Sequence, residues 1–377
     1  MSFWRRAAAK PSAAAASPAG RHFPLSGEGP RLVIFTEHFN ATYFISFELP
    51  LQHLQQQGRI GFSAYSQAEV EAAGPGGWQD WVTARRPQAV VLTRYGRPDG
   101  VDILAFCQGR GIPVVYHIDD DLLELPESLG AEVVKRHAGA ETLQARQQML
   151  AGCNLIYAST AVLADVLRQR FPRQRVFHGV YAPYLDVLPD PLPPVRPATM
   201  GYMGSRGHQE DLALVVPALV RLMSERPGLR FETFGTIVPP PELAAFGERV
   251  RHHAVQKSYR EFLRTLAGLR WQIGLAPLVD APFNRCKAPT KFIEYTSCGI
   301  ATVASNVIVY ASAVPEGGAD LVDDDWYEVL AKLLDDPARA QAQWEVARRH
   351  CVATYDLQRL AAQVLHVIDL LPQTVSA

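Results

Sequence analysis

Three charged side chains in the C-terminal half of the chain are spaced to share one face of a short helix. Lys287, Lys291 and Glu294 lie at positions i, i+4 and i+7. Pro289 suits the first turn of such a helix, and Gly299 suits the position just past its end. Lysines beside a helix N-terminus can bind phosphate, and a carboxylate further along can accept hydrogen bonds from sugar hydroxyls.

The same spacing has a simpler interpretation. Lys291 and Glu294 are three residues apart and could form a solvent-facing ion pair, worth ~0.2–0.5 kcal/mol. The apolar run at 300–304 follows Gly299 directly and predicts a buried strand. A short helix that leads straight into a strand is typical of a parallel α/β sheet.

The stretch from 287 to 305 resembles the C-terminal donor-site motif of GT-B glycosyltransferases. It is most similar to the retaining, family 4-like group related to bacterial glycogen synthase and mannosyltransferases. In that group a helix Glu holds the ribose of a nucleotide-sugar, and a Gly and a strand ending in a small residue follow. Glu294, Gly299 and Ser305 match this pattern. An earlier Glu of the motif would fall at Cys286 and is absent, so we expect Lys287 or Lys291 to face the phosphates.

Apolar runs alternate with helical patterns along the whole chain. This alternation predicts an α/β protein with two Rossmann-like, doubly wound parallel sheets, and the resemblance implies that they face each other across a cleft. The predicted strands are 31–37, 59–65, 88–93, 113–118, 154–159, 175–178, 199–203, 229–235, 271–277 and 300–304. The predicted helices are 43–57, interrupted at Pro50, then 98–110, 132–151, 212–225, 258–269, 323–336, 337–350 and 356–371.

Composition predicts the domain boundaries. Six prolines between 183 and 197 indicate an extended connection, and the Ala-, Pro- and Ser-rich start indicates a disordered tail. The predicted parts are the tail 1–29, an acceptor-side domain 30–185, a linker 186–198, a nucleotide-sugar-binding domain 199–352 and a final helix 353–377. The resemblance implies that this helix returns toward the N-terminal domain.

An acidic cluster follows the predicted strand 113–118. Ligands of open α/β sheets bind beyond the carboxyl ends of strands, where His117, Asp119, Asp120 and Asp121 lie. The cluster could be a cleft edge that orients sugar hydroxyls or an acceptor, a helix cap, or a divalent-metal site of the kind found in GT-A glycosyltransferases. We favour the cleft edge, because the donor-like motif lies in the other half of the chain. The resemblance places a His near the sugar, so His117, Asp119 and Asp120 are the predicted catalytic residues, with no metal.

A glycine-bearing loop follows the predicted strand 199–203. Gly201, Gly204 and Gly207 do not have the dinucleotide-binding spacing, but backbone amides of such a loop can approach a diphosphate. Arg206 could neutralise phosphate charge, and His208 could donate a hydrogen bond. The predicted donor-binding residues are Gly204, Arg206, His208, Lys287, Lys291 and Glu294.

The turn at His178–Gly179 resembles the turn that closes the N-terminal domain in the same enzymes. The resemblance predicts a positive φ at Gly179, where glycine has no steric penalty. A simple turn at the end of a strand is the alternative.

Overall composition narrows the functional classes. A net charge of −1 argues against a general nucleic-acid binder, and five scattered cysteines without metal spacing favour reduced thiols in the cytoplasm. No apolar run reaches the ~18 residues that span a bilayer. Phe3, Trp4, Arg5 and Arg6 could make a weak peripheral contact at the inner face of the membrane, which is the less favoured interpretation of the tail.

Together these features predict a metal-independent, hexosyltransferase-like glycosyltransferase. Its donor is a nucleotide-sugar, with no further cofactor, and its acceptor is a glycan or a lipid-linked molecule of a bacterial cell-surface polysaccharide. Because a fold does not fix a function, two alternatives stay open. One is a sugar-nucleotide epimerase on the same fold, and the other is a non-catalytic protein that binds nucleotide-sugars or glycans.

Overall fold

A computed structural model of the protein describes residues 20–25, 28–74, 76–189, 195–254 and 258–372. These residues form two α/β domains, each built on one sheet. The N-terminal strands are β1 (Arg21–Phe23), β2 (Arg31–Thr36), β3 (Gly61–Ser66), β4 (Ala89–Thr93), β5 (Val114–Ile118), β6 (Leu155–Ala158) and β7 (Val176–His178). The C-terminal strands are β8 (Arg196–Gly204), β9 (Arg230–Gly235), β10 (Val250–Ala254), β11 (Trp271–Ala276), β12 (Ala301–Ser305) and β13 (Asp320–Val322).

Helices cover both faces of each sheet. The N-terminal domain contains α1 (Ala41–Tyr43), α2 (Leu49–Gln56), α3 (Gln67–Ala73), α4 (Gly77–Arg85), α5 (Asp99–Gln108), α6 (Ala131–His137), α7 (Ala140–Gly152) and α8 (Ala161–Arg170). The remaining helices are α9 (Gln209–Ala213), α10 (Val216–Glu225), α11 (Tyr259–Leu269), α12 (Pro282–Arg285), α13 (Thr290–Ser297), α14 (Ile308–Ala311), α15 (Trp326–Asp335), α16 (Pro337–Thr354) and α17 (Leu357–Asp369). Short 3₁₀ segments are Glu127–Leu129, Arg206–His208 and Pro241–Arg249.

The strand orders are those of doubly wound sheets. The N-terminal order is β1-β3-β2-β4-β5-β6-β7, and only β1 is antiparallel to its neighbour among the described strands. The C-terminal order is β10-β9-β8-β11-β12-β13, with every described pair parallel. The predicted parallel α/β architecture is confirmed.

Strand β2 shows how the sequence specifies a sheet covered on both faces. Leu32 and Ile34 lie in the apolar cluster on the side of α2, whereas Val33 and Phe35 lie in the cluster on the side of α4. Successive side chains of a strand point to opposite faces, so an uninterrupted apolar run can only be satisfied by helices on both sides. Burying each such side chain contributes about 1.5–3 kcal/mol.

Several element boundaries differ from the sequence predictions. Pro50 does not interrupt its helix, because the π-helical segment Phe44–Glu48 precedes it and Pro50 lies in the first turn of α2, where no N–H is needed. The predicted helix 132–151 is divided into α6 and α7, and the predicted helix 212–225 is divided into α9 and α10. Strand β8 begins at Arg196, inside the predicted linker. Linker residues 190–194 lie outside the described residues.

The prediction of a disordered tail over residues 1–29 is wrong for Arg21–Phe23, which form β1. Residues 1–19 and 26–27 lie outside the described residues. Arg21 donates two hydrogen bonds to the buried carboxylate of Glu48, at 2.5 and 2.7 Å. The Phe23 ring stacks on Phe62 of β3, with ring centroids 4.3 Å apart. These long-range contacts hold a segment that is too short to show a strand pattern in the sequence.

Helix α17 leaves the C-terminal domain and packs against α2 in the N-terminal domain. Val364 and Val367 join the apolar cluster there. The Gln363 side chain accepts from the N–H of Val180 (2.8 Å) and donates to its carbonyl (2.9 Å). A Cβ at Gly179 would lie 2.0 Å from Gln363 Oε1. Gly179 therefore allows a close approach of α17, and the predicted positive φ is wrong, because its φ is not in the left-handed region.

Strands β8 and β11 also meet at a glycine. A Cβ on Gly201 would lie 2.1 Å from the ring of the fully buried Trp271. We expect Gly201→Ala to destabilise the C-terminal domain by about 1–3 kcal/mol, because the indole has no room to move. Gly228→Ala is the matched control, since nothing lies within 4 Å of a Cβ there. Urea unfolding of both variants checks this, and equal stability of the two would contradict the packing described.

Candidate functional site

A cleft of about 870 Å³ lies between the carboxyl ends of the two sheets. Most of the residues selected from the sequence line it: Asp119, Asp120, Gly204, Arg206, His208, Lys287, Lys291 and Glu294. Their segments come from β5, β8 and α13, so side chains from opposite halves of the chain share one crevice. A cleft of this size can hold a ligand of a few hundred daltons.

Helix α13 positions the donor-like motif. Its N-cap is Pro289. Gly299 follows its C-cap, which is the position predicted for it, and has a left-handed φ of 77°. Lys287 precedes the helix and lies in a turn. The prediction that Lys287 and Lys291 share one helical face is therefore wrong. It nevertheless lines the same cleft.

Glu294 is not part of a solvent-facing ion pair, so that interpretation is wrong. It is 9% exposed, and its Oε1 accepts a hydrogen bond from the Tyr259 hydroxyl at 2.9 Å. Burial raises the pKa of Glu294 to about 7, although Tyr259 and Lys291 both favour the charged form. Burial and the nearby charge of Lys287 lower the pKa of Lys291 to about 8. Both groups therefore titrate near neutral pH, as site residues often do.

The glycine loop after β8 forms the cleft wall beside α13. The carbonyl of Gly204 accepts from the N–H groups of Thr236 and Ile237, each at 3.1 Å. The Arg206 N–H donates to Thr236 Oγ1 at 3.2 Å, and the Arg206 side chain is exposed at the rim. This side chain can turn toward a ligand without losing an internal ion pair among the described residues.

His208 differs from its predicted role as a donor. Its Nδ1 lies 2.7 Å from Asp211 Oδ2, and the charge of Lys291, with burial, lowers its pKa to about 3. A neutral imidazole whose Nδ1–H donates to Asp211 presents Nε2 as an acceptor. Asp211 also accepts from the Val279 N–H at 2.9 Å, so it fixes the loop against the segment after β11.

The opposite wall is built around Asp119. Its Oδ2 accepts from the hydroxyls of Thr42 (2.7 Å) and Tyr181 (2.9 Å), and its Oδ1 accepts from Arg94 at 2.5 Å. Burial opposes ionisation of Asp119, but the charge of Arg94 and the hydrogen bonds from Thr42 and Tyr181 together outweigh it and lower the pKa. Asp119 is thus an ionised, fully engaged carboxylate that orders three segments of the N-terminal domain.

The three consecutive aspartates have separate environments. Asp120 is partly exposed to the cleft and 3.2 Å from Arg94, and burial together with the charge of Asp119 raises its pKa. Asp121 turns away from the cleft, pairs with Arg170 at 2.6 Å and accepts weakly from the Leu123 N–H at 3.4 Å. Within the described ranges, no group of three or more His, Cys, Asp or Glu residues is arranged to hold a metal ion.

His117 lies behind the cleft rather than in it. It is 1% exposed, its ring packs edge-on against Phe47 and Tyr157, and its Nδ1 is 2.9 Å from Thr93 Oγ1. Burial lowers its pKa to about 4, so the imidazole is neutral at pH 7. The predicted direct role of His117 does not fit this position, because strand residues alternate faces and His117 points into the layer between the sheet and the helices.

Cys286 occupies the place where the resemblance expects a further Glu. It is 2% exposed and belongs to the apolar cluster of the N-terminal domain, although it comes from the C-terminal domain. Its carbonyl accepts a hydrogen bond from Thr160 Oγ1 of the N-terminal domain at 2.8 Å. This position joins the domains and does not present a side chain to the cleft.

The sequence interpretation missed several residues of the site. Arg94 follows β4 directly, so the strand-end rule that selected Asp119 could also have selected it. Tyr259 and Tyr181 reach Glu294 and Asp119 from segments distant in sequence. No local pattern announces such contacts.

No protein-family model matches the chain, and no curated protein matches it in sequence. Solved structures do resemble it. Sucrose-phosphate synthase from Thermosynechococcus elongatus has a TM-score of 0.65 and 12% identity, covering 90% of this chain and 98% of that one. HepE from Anabaena in complex with UDP has a TM-score of 0.60 and 13% identity, covering 90% and 100%. An α,α-trehalose-phosphate synthase (UDP-forming) from Burkholderia xenovorans, in complex with glucose-6-phosphate, has a TM-score of 0.58 and 12% identity, covering 90% and 100%.

The two parallel-sheet domains and these likenesses define the fold as GT-B, as predicted. The similar structures are glycosyltransferases of that fold. At 12–13% identity they support the fold, and the family 4-like retaining group stays a prediction. In the part of the chain that the structure describes, every helix is too short or too polar to cross a bilayer.

The raised pKa of Glu294 predicts how stability depends on pH. Because its folded-state pKa of about 7 exceeds the usual 4.5, protonated Glu294 favours the folded state, and that stability is lost as pH rises from 4.5 through 7. Glu294→Gln should remove this loss, on the order of 3 kcal/mol at most. Urea unfolding of both proteins at pH 5 and pH 8 measures the difference. Identical pH dependence would contradict the assignment, and Tyr259→Phe should steepen the wild-type trend.

Proposed function

We propose that the protein is a metal-independent glycosyltransferase that transfers a sugar from a nucleotide-sugar to a glycan or lipid-linked acceptor. One observation carries the proposal: lysines and an arginine on the C-terminal wall face carboxylates on the N-terminal wall across a single cleft. The GT-B fold supports it, as do similar structures in complex with UDP and UDP-glucose. Bacterial cell-surface polysaccharide is the proposed context of the acceptor.

The C-terminal wall suits a diphosphate leaving group. The cleft near the N-terminus of α13 is lined by Lys287, Lys291 and Arg206. Negative charge would develop there as the sugar–phosphate bond breaks. Lys287 and Lys291 already lie in a partly buried wall, and Arg206 can turn in from the rim, so together they would stabilise that charge. A metal ion performs this task in other transferases. Glu294 would accept hydrogen bonds from the ribose hydroxyls, which replace the bond it now receives from Tyr259.

The N-terminal wall suits an acceptor hydroxyl. Asp120 is the carboxylate of this wall that remains partly exposed, and its pKa is raised by burial and by Asp119. A carboxylate with a raised pKa is a better base, so Asp120 would take the proton of the attacking hydroxyl. Asp119 and Arg94 would position Asp120 rather than react.

The lowered pKa of Lys291 gives a test of donor binding with UDP as the probe. Because the bound diphosphate favours protonated Lys291, wild-type affinity should fall above pH 8, by up to about tenfold per pH unit. Lys291→Gln should bind UDP about 10–100-fold more weakly and lose this pH dependence. Calorimetric titration between pH 7 and pH 9.5 measures both effects. Arg221→Ala, a surface arginine paired with Glu225, is the control, and unchanged binding by Lys291→Gln would refute the diphosphate assignment.

Turnover separates the proposed activity from its rivals. With a nucleotide-sugar that binds and a panel of glycan and lipid-linked acceptors, nucleotide release should require acceptor and persist in EDTA. Asp120→Asn should lower kcat about 10²–10⁴-fold with little change in donor affinity, because a general base is lost. Asp165→Asn, at an exposed aspartate paired with Arg168, is the control.

Other outcomes of the same assay identify the alternatives. Conversion of the nucleotide-sugar to an isomer without acceptor, seen by mass spectrometry, would identify an epimerase. Binding without any turnover across the panel would identify a non-catalytic partner. Loss of activity in EDTA, mimicked by Asp119→Asn, would instead indicate a metal site at the aspartates.

A further inference from the structure

A second cavity, of about 720 Å³, lies between the domains beside the cleft. We call it the hinge cavity; its walls include Thr160, Val180, Lys287, Ile308, Arg359 and Gln363. It opens at the ends of β6 and β7, next to α14 and α17, whereas the cleft opens at the ends of β4 and β5. The segment around Lys287 and Ala288 borders both spaces.

The walls of the hinge cavity carry basic groups without acidic ones. The basic residues are His178, Arg285, Lys287, Arg359 and His366, and no described residue of the lining is Asp or Glu. Arg285 is neutralised by Asp280, at 2.6 and 2.8 Å. Arg359 donates to the Ala353 carbonyl at 2.9 Å and has no ion pair among the described residues. The charge of Lys287, in contrast, acts on Asp120 and Asp211 of the cleft. A cation beside a concave space that has no carboxylate partner, as Arg359 is, attracts an anion.

The rest of the lining is largely aliphatic and aromatic. Phe177, Ile293, Ile308 and Val309 contribute to it. Ile293 and Val309 are buried, whereas Ile308 is 46% exposed and so supplies accessible apolar surface. Apolar side chains left accessible in a concave space favour a ligand that buries hydrocarbon surface there. Charge and apolar surface together describe a molecule with an anionic group and an apolar part.

We propose that the hinge cavity is a second ligand site, which binds a small organic phosphate. The phosphate lies near Arg359, and the organic part contacts Ile308 and its neighbours. Because the ligand touches both domains and the Lys287–Ala288 segment, its binding is coupled to the state of the cleft. The site does not depend on the proposed transferase activity, since its ligand is bound and not transformed.

Opposite charges introduced at one position test the proposal with phenyl phosphate as the probe and phenol as its uncharged analogue. Calorimetric titration of the full chain should show phenyl phosphate binding that weakens about tenfold in Ile308→Asp and tightens several-fold in Ile308→Lys. Phenol should not distinguish the two variants. A purely structural effect would move both variants in the same direction, which would overturn the proposal.

The cleft itself is a competing site for the probe, and Arg206→Ala distinguishes the two. Arg206 lines the cleft and not the hinge cavity, so Arg206→Ala should bind phenyl phosphate as wild type does. A loss in Arg206→Ala as large as that in Ile308→Asp would show that the probe occupies the cleft. Absence of wild-type binding at millimolar probe would equally overturn the second site. Neither result bears on UDP binding, so failure of this proposal and failure of the proposed transferase are separable.

Discussion

The guanidinium of Arg94 is the contact on which the N-terminal half of the cleft depends. It lies within hydrogen-bond distance of three carboxylates, at 3.2 Å from Glu37, 2.5 Å from Asp119 and 3.2 Å from Asp120. Like charges held this closely repel unless a cation lies between them, and a buried charge is tolerated only with partners. Arg94 adopts a left-handed backbone conformation, with φ of 52°, which is uncommon for a residue other than glycine. The surrounding ion pairs and the bond from its N–H to the His117 carbonyl (3.0 Å) hold this geometry.

The charge distribution across the cleft follows from that arrangement. One guanidinium does not neutralise three carboxylates, so the N-terminal wall keeps negative charge, while Lys287 and Lys291 give the C-terminal wall positive charge. The charge of Lys287 also disfavours protonation of Lys291, which is part of why the pKa of Lys291 is low. A bound diphosphate would relieve this repulsion. Under the proposed function, this charge distribution would place the diphosphate at the C-terminal wall and the neutral acceptor at the N-terminal wall.

The sequence predicted the architecture and the C-terminal wall better than the N-terminal one. Apolar runs such as 88–93, which alternate with helical patterns along the chain, predict the strands. The spacing of Glu294 and Gly299 carries the donor-site motif of the resemblance. His117 was misplaced because the strand-end rule identifies where a strand stops, and not the face to which its last side chains point. Arg94 contacts Asp119, 25 positions away, and Tyr259 contacts Glu294, 35 positions away. Both contacts arise only when separate elements pack together. From the sequence, Cys286 could be recognised only as the position where the motif's earlier Glu is absent. Its burial in the apolar cluster of the N-terminal domain arises from the docking of the two domains.

The chain passes between the domains at two places, near Tyr184 and near Tyr355. The two passages lie side by side, joined by a hydrogen bond from the Tyr184 N–H to the Tyr355 carbonyl at 2.7 Å. Two chain connections at one place favour rotation of the domains about that place over sliding or separation. Thr160 and Gln363 line the same cavity as Tyr355, whereas Arg206 lines the cleft. Any rotation about the two connections would therefore displace the rim at Arg206 more than the segments at Thr160 and Gln363.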